Sequence, residues 1–251
     1  MMESAPLSAW SDHLEQTAWP RGSVAVYAET ASTQDICRGR EPGFVCVAER
    51  QTTGRGRLGR KWEAPPGKTL SFSFVAPAGL SHGILSLAVP VAICRALDPW
   101  LAPLGLAPKV KWPNDVYADG KKLAGVLIEV ENGLPIVGIG LNVLTQALDF
   151  LEDLRLRTAS LASLGASVDR LTVLAALLRE LDRMLLELGT KPNTVVDEWK
   201  SLCLPLPSAF HCEGKTFTGT VLDVDADKGL VLRLNSGEIT HLPAQWTSAA
   251  I

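Results

Sequence analysis

Residues 54–62 read GRGRLGRKW: three glycines, three arginines and a lysine, closed by Trp62. Arginine offers planar, permanently charged donors suited to phosphate or carboxylate, and glycine lets backbone approach a ligand closely. Together they suggest an anion held from several sides. The stretch also matches GxGxxG, the turn that opens a dinucleotide-binding βαβ unit, and the fold depends on whether that match holds. The motif needs a strand before it and a long helix after it. A strand precedes it, but Lys61-Trp62-Glu63-Ala64-Pro65-Pro66-Gly67 follows, and two prolines with a glycine cannot begin a crossover helix. Gly67-Lys68-Thr69 copies the end of a P-loop, yet the glycine required five positions earlier is Trp62. Neither nucleotide fold fits, and a solvated basic loop stays open as the plain alternative.

The surroundings sharpen the local charge. The chain of 251 residues carries a net charge of −3, which gives no global case for a nucleic-acid or acidic-membrane partner. Within it, residues 50–61 hold Arg50, Arg55, Arg57, Arg60 and Lys61 and no acid. A hydrophobic content of 47% with 20% charged residues fits a compact protein of one large domain, or a medium one plus a small one. Cys37, Cys46, Cys94, Cys203 and Cys212 are odd in number, widely spaced and free of any CxxC, so they read as free thiols in a reducing compartment. No run reaches the length of a membrane span, and the start carries acids where a signal peptide is basic; a cytoplasmic location is expected. His13, His82, His211 and His241 are scattered and predict no metal site. No GxSxG supplies a serine nucleophile.

Periodicity places the motifs. A short helix is expected around 7–18. SVAVYAE (23–29) and GFVCVAE (43–49) read as strands, bounded by glycine and rich in β-branched residues. TLSFSFVAP (69–77) alternates, which predicts Leu70, Phe72 and Phe74 inward and Thr69, Ser71 and Ser73 outward. Residues 84–101 predict an apolar helix with Pro90 near its start. KLAGVLIEV (122–130) and LPIVGIGLNV (134–143) predict an antiparallel pair joined by Glu131-Asn132-Gly133. Leucines at spacings of three and four mark a helix at 168–189, stopped by Gly189, with a second near 193–202. CLPLPS (203–208) reads as a linker. Residues 215–242 hold three short strands with turns at Asp227–Gly229 and Ser236–Gly237, a small appended β unit. The expected division is a body of 1–203 and a small domain of 207–251.

Three further stretches join the loop. Ser32-Thr33-Gln34 follows the first strand. Lys111-Trp112-Pro113-Asn114-Asp115 is followed by Lys122-Leu123-Ala124-Gly125, eleven residues after Lys111. Gly138-Ile139-Gly140-Leu141-Asn142-Val143 lies in the last strand of the pair. With Gln51 and GRGRLGRKW, these resemble the biotin–protein ligases in residue type, order and spacing from about residue 24 to 143. The resemblance implies an α+β fold: a class II synthetase-like biotin/lipoate ligase core, with a mixed β-sheet and flanking helices, then an SH3-like β-barrel. It implies a two-step reaction in which biotin and ATP give biotinyl-5′-adenylate and pyrophosphate, with Mg2+ accompanying ATP. A lysine of a biotin carboxyl carrier protein domain then takes the biotinyl group as an amide. Fixed cations suit that chemistry, because the carboxylate and the α-phosphate it attacks are both anionic.

The resemblance also distributes roles. Ser32, Thr33 and Gln34 match the group that binds the ureido ring, with a helix N-cap as the plain reading of Ser32 or Thr33; the family often has asparagine where Gln34 stands. Gln51 matches another biotin contact. Arg57 is expected over the biotin carboxylate and phosphate, and Arg55 beside Gly56 on the phosphate side. Trp62 matches a tryptophan close to adenine. Lys122 matches the lysine bridging carboxylate and phosphate, with Lys111, Asn114 and Asp115 on the same wall. Asp115 is the candidate to orient or deprotonate the incoming amine. Gly125, Gly138 and Gly140 would let backbone approach the bicyclic ligand, and Asn142 would read adenine. Arg60 and Lys61 have no assigned role. The loop's like charges predict self-repulsion without an anion.

Departures and alternatives bound the reading. The C-terminal ITHLPAQW differs from the family's usual ending, which leaves residue roles past 205 unassigned. Only 31 residues precede Ser32, too few for the winged-helix domain of the ligases that also repress transcription, so no nucleic-acid partner is expected. Lipoate or octanoate attachment and a catalytically silent biotin binder remain as alternatives. A homodimer is left open, and no membrane partner is expected.

Overall fold

The computed structural model describes residues 7–62 and 64–250. The first helix, α1 (Trp10–Thr17), leads to strand β1 (Val24–Thr30), the short helix α2 (Thr33–Cys37) and strand β2 (Val45–Gln51). Strand β3 (Thr69–Val75) follows the arginine–glycine loop, and helix α3 (His82–Leu101) follows β3. Next come β4 (Lys109–Lys111), β5 (Asp115–Ala118), β6 (Lys121–Glu131) and β7 (Leu134–Asn142). Helices α4 (Arg170–Thr190) and α5 (Pro192–Leu202) precede the five C-terminal strands. These are β8 (Ala209–Cys212), β9 (Lys215–Asp225), β10 (Gly229–Leu234), β11 (Ile239–Leu242) and β12 (Thr247–Ala249).

The body is a seven-stranded mixed sheet in the order β1-β2-β3-β7-β6-β5-β4. Only β1 and β2 run parallel; the other pairs are antiparallel. Asn132 and Gly133 both take positive φ, 50° and 78°, the geometry of a tight hairpin turn between β6 and β7. A second antiparallel sheet, β11-β10-β9-β8-β12, forms the C-terminal unit. The three strands expected in 215–242 are β9, β10 and β11, and two short strands outside that range join them: β8 pairs with β9, and β12 pairs with β8. The α+β architecture of mixed sheet, flanking helices and small barrel-like unit is therefore the one expected.

The two faces of the sheet differ. Leu70, Phe72 and Phe74 lie with Val126, Val137, Ile139 and Leu141 in the main core, under the apolar sides of α3 and α4. Helix α3 begins at His82 because Ser81 caps it, its hydroxyl accepting from the Ile84 amide at 3.2 Å. Pro90 consequently falls mid-helix. By length and composition α3 could cross a membrane, a point the run-length reading missed, but it is a largely buried core helix.

The opposite face carries the second correction. Thr69, Ser71 and Ser73 are buried, not outward in solvent. Alternation identified the two faces correctly, but both are covered: helix α2 and the arginine–glycine loop lie over the serine side. At the far edge, Leu204 donates to the Val110 carbonyl at 2.7 Å, so the linker shields β4, an edge otherwise open to pairing. All five cysteines are free, and burial pushes the thiols of Cys37, Cys94 and Cys203 up to about 12.

Candidate active site

Strand register builds the floor of the site. Gly125, Gly140 and Ser71 stand in one cross-strand row; Leu127, Gly138 and Ser73 stand in the next. Period-two alternation puts all of these on the same face. A methyl group at Gly140 would overlap the indole of Trp62, and one at Gly138 would meet the amide of Gln34 and the hydroxyl of Ser73. At Gly125 it would meet Lys122 Nζ and Asp115 Oδ1. The three glycines thus seat side chains of the site itself, rather than a packed neighbouring strand.

One end of this floor is polar, uncharged and buried. Ser32, Thr33 and Gln34 are each at most 3% exposed. Ser32 occupies the N-cap position of α2, yet its hydroxyl makes no capping bond, so the plain capping reading does not apply. The Thr33 hydroxyl shares a 2.7 Å hydrogen bond with Ser73 and donates to Gln51 Oε1 at 3.2 Å; the same oxygen accepts the Thr33 amide at 2.8 Å. Gln34 donates to the Leu127 carbonyl at 3.1 Å, while its Oε1 is buried without a partner. Buried acceptors are normally satisfied, so this end suits a small uncharged head with donors of its own.

The other end is cationic. Lys122 Nζ lies 2.7 Å from Asp115 Oδ1 and 5.8 Å from the Trp62 ring centroid. Its strand is held in place by residues beyond β7: Lys122 N donates to the Arg157 carbonyl and Lys122 O accepts from Ala159 N, both at 2.9 Å. Ala159 O also accepts from Asn142 Nδ2 at 3.1 Å. Lys111 Nζ lies 5.0 Å from the Tyr117 ring centroid and 3.4 Å from its hydroxyl. Burial pulls the Arg57 guanidinium down to about 10, Asp115 opposing it and Arg60 adding to it. It stays charged at neutral pH.

The loop is folded, and its two half-buried arginines, Arg55 and Arg57, take different partners. Arg55 forks onto Asp35, at 2.9 and 2.8 Å, with Glu129 at 3.5 Å. These carboxylates raise its pKa further, the Asp35 hydrogen bond foremost. Arg57 donates to Asn114 Oδ1 at 3.1 Å and to the carbonyls of Ala244, Gln245 and Thr247 at 2.6, 3.3 and 2.8 Å. Asn114 in turn donates to the Val126 carbonyl. Leu58 and Gly59 take positive φ of 54° and 74°, reversing the chain so that the Gly56 amide reaches the Arg60 carbonyl at 2.7 Å. Arg60 and Lys61 are exposed. The partners that hold its arginines, Asp35, Glu129 and the 243–247 carbonyls, all lie outside the loop.

Every residue singled out from the sequence lies on this floor or its rim. Asp35, Ser73, Glu129 and the 243–247 turn were missed. Asp35 directly follows the Ser-Thr-Gln stretch, but nothing local marks it as the partner of Arg55. His82, expected only as one of four scattered histidines, feels the charge of Arg57: burial first and Arg57 second depress it to about 4.

A buried polar cluster, a row of glycines and a cationic rim on one mixed sheet suit a ligase that activates a small carboxylic acid. Residues 21–144 match the model of the biotin/lipoate A/B protein ligase family, and the chain belongs to that family. It is 34% identical over 234 residues to the biotin–[acetyl-CoA-carboxylase] ligase of Mycobacterium tuberculosis, covering 86% of this chain and 83% of that one. Identity to the bifunctional ligase/repressor BirA of Escherichia coli is 36% over 197 residues, 72% of this chain and 59% of that one. The biotin protein ligase of Aquifex aeolicus, solved in complex with biotin and ATP, superposes with a TM-score of 0.77 at 30% identity, covering 90% of this chain and 97% of that one.

Proposed function

We propose that this protein is an ATP-dependent biotin–protein ligase. The biotin carboxylate attacks the α-phosphate of ATP, releasing pyrophosphate and forming a mixed anhydride. The amine of a carrier-domain lysine then attacks the acyl carbon and releases AMP. The observation that carries this reading is the buried, uncharged polar cluster two residues along β7 from the cationic end. Two positions along β7 separate Gly138 beside Gln34 from Gly140 under Trp62, about 7 Å, the scale of a short acid with its head in one end and its carboxylate at the other.

The residues divide the work. Ser32, Thr33, Gln34 and Gln51 pair with a ureido head; a dithiolane ring would leave those groups unsatisfied, at a cost of about 1–3 kcal/mol each. That favours biotin over lipoate. Lys122 and Arg57 offset the charge that builds as two anions meet, and Lys111 adds to the positive field. Asp115 pairs with Lys122 and is the candidate to accept a proton from the incoming ammonium. Trp62, over Gly140, offers a ring face for adenine, with Asn114 and Asn142 along the same wall. Its Nε1 is buried without a partner, a donor left for a ligand.

Magnesium would arrive with ATP. No cluster of three or more ion-binding His, Cys, Asp or Glu side chains occurs among the described residues, so phosphate oxygens would supply much of its coordination. A carrier domain as acceptor, a cytoplasmic location and a division near residues 203–207 belong to the same proposal. The free thiols and the separate second sheet support the last two. The test is incubation with ATP, magnesium, a carrier domain and labelled biotin or labelled lipoate. Biotin should label the carrier lysine; label from lipoate alone, or from neither, would overturn the reading.

A further inference from the structure

The barrel's hold on Arg57 differs in kind from the hold on Arg55. Arg55 is paired with carboxylates, which cancel its charge. Arg57 is gripped by neutral acceptors, three barrel carbonyls and Asn114 Oδ1. These bonds use Nη1 and Nη2 and leave Nε out. Neutral acceptors fix a guanidinium's orientation while leaving its positive charge to act on an anion.

The turn that supplies the carbonyls is itself tied shut. Thr247 is fully buried and donates its hydroxyl to the Pro243 carbonyl at 2.6 Å. The Trp246 amide meets the same carbonyl at 3.2 Å. With 243–247 closed, the carbonyls of Ala244, Gln245 and Thr247 converge on one nitrogen. The barrel is docked to the body by a separate contact as well. Gly83, at the start of α3, sits so close to the Ala226 carbonyl that no larger residue fits, and Ser81 donates to Asp227 at 2.9 Å. Loss of the turn's shape therefore does not by itself release the barrel.

We propose that the 243–247 turn is a positioning element of the active site, aiming the charged guanidinium of Arg57 at the reacting anions, with Thr247 as the positioning residue that keeps its shape. The catalytic part of this statement rests on the reading of the site as a biotin-activating ligase; the grip on the loop does not.

The test uses the full chain with T247V, T247S and R57K, and S236A on another barrel turn as control. Two readouts are taken: trypsin cleavage within residues 54–62 followed by mass spectrometry, and kcat and KM for biotin in biotin-dependent ATP–pyrophosphate exchange. Losing the Thr247 hydroxyl should speed loop cleavage about fivefold and lower kcat by a similar factor, the worth of about one hydrogen bond. KM for biotin should stay within about twofold, because the head pocket is built by α2 and the strands. T247S should restore both values, and S236A should match the wild type. R57K offers a lysine where a fork is needed, so its loop should also be cut faster even if T247V folds poorly. Wild-type cleavage in R57K, or wild-type cleavage and kcat in a folded T247V, would overturn the proposal. Faster cleavage in a chain whose wild type shows no exchange would keep the grip and reject the ligase reading.

Discussion

The floor of the site and the loop above it solve opposite problems. Floor residues owe their places to strand register: once β3, β6 and β7 pair, Gly125, Gly138, Gly140, Ser71 and Ser73 share a face. The loop has almost no regular structure of its own and owes its shape to partners far away in the chain, Asp35 and Glu129 for Arg55 and the barrel for Arg57. A floor built this way fails when one buried group is removed. A loop held from several sides loses little when one exposed partner is removed.

Substitutions can break that contrast. The largest effect is expected for Lys122→Ala, which removes a fixed cation where negative charge accumulates. Biotin-dependent exchange should fall about a thousandfold, and a fall under tenfold would remove Lys122 from the chemistry. Thr33→Val comes next. Its hydroxyl bonds Ser73, so the change strands one fully buried hydroxyl, while Gln51 Oε1 keeps the Thr33 amide. KM for biotin should rise roughly tenfold to a hundredfold with the thermal midpoint changed far less; an unaltered KM would mean the polar pocket does not hold the head.

Acid addresses the seam between body and barrel. His82 is neutral in the fold, with its pKa depressed to about 4 from 6.5, by burial first and Arg57 second. The unfolded chain takes up the proton first, so stability is full above about 6.5 and declines as pH falls towards 4. By pH 5 the loss is about 2 kcal/mol at most, and H82Q should flatten that part of the unfolding curve. Equal pH dependence in both proteins would discard the assignment. The smallest effect is reserved for Asp35→Asn. The Asp35 side chain is 41% exposed, and exposed pairs contribute about 0.2–1 kcal/mol. Asp35 lies below its usual 3.8, held there chiefly by the Arg55 hydrogen bond; its contribution is present above that value and lost as pH falls below it. Exchange should change less than about threefold. A tenfold loss would move the Arg55–Asp35 pair from holding the loop to taking part in the reaction.

The same contrast separates what could be read in the sequence from what could not. The five-residue stretch 111–115, Lys122 and the two glycines of β7 were legible only through their resemblance to the motifs of the biotin–protein ligases, not through periodicity. The serine face of β3 was misread as solvent-facing, since alternation separates two faces without saying what covers each. Strands β4 and β5 are three and four residues long, too short for periodicity, and the cis Trp112–Pro113 peptide lies between them. Partners of the loop were illegible for another reason: Asp35 lies 20 residues from Arg55 and Thr247 lies 190 from Arg57, and no periodic signal spans such separations.

The carbonyls of residues 244, 245 and 247 carry one more consequence, for how the molecule could change over time. Main chain is present whatever the side chain, so most substitutions at Gln245 would leave those acceptors in place. An inserted or deleted residue between Pro243 and Thr247 would displace them together. The ending ITHLPAQW can therefore diverge in spelling and still do its work, provided its length is kept.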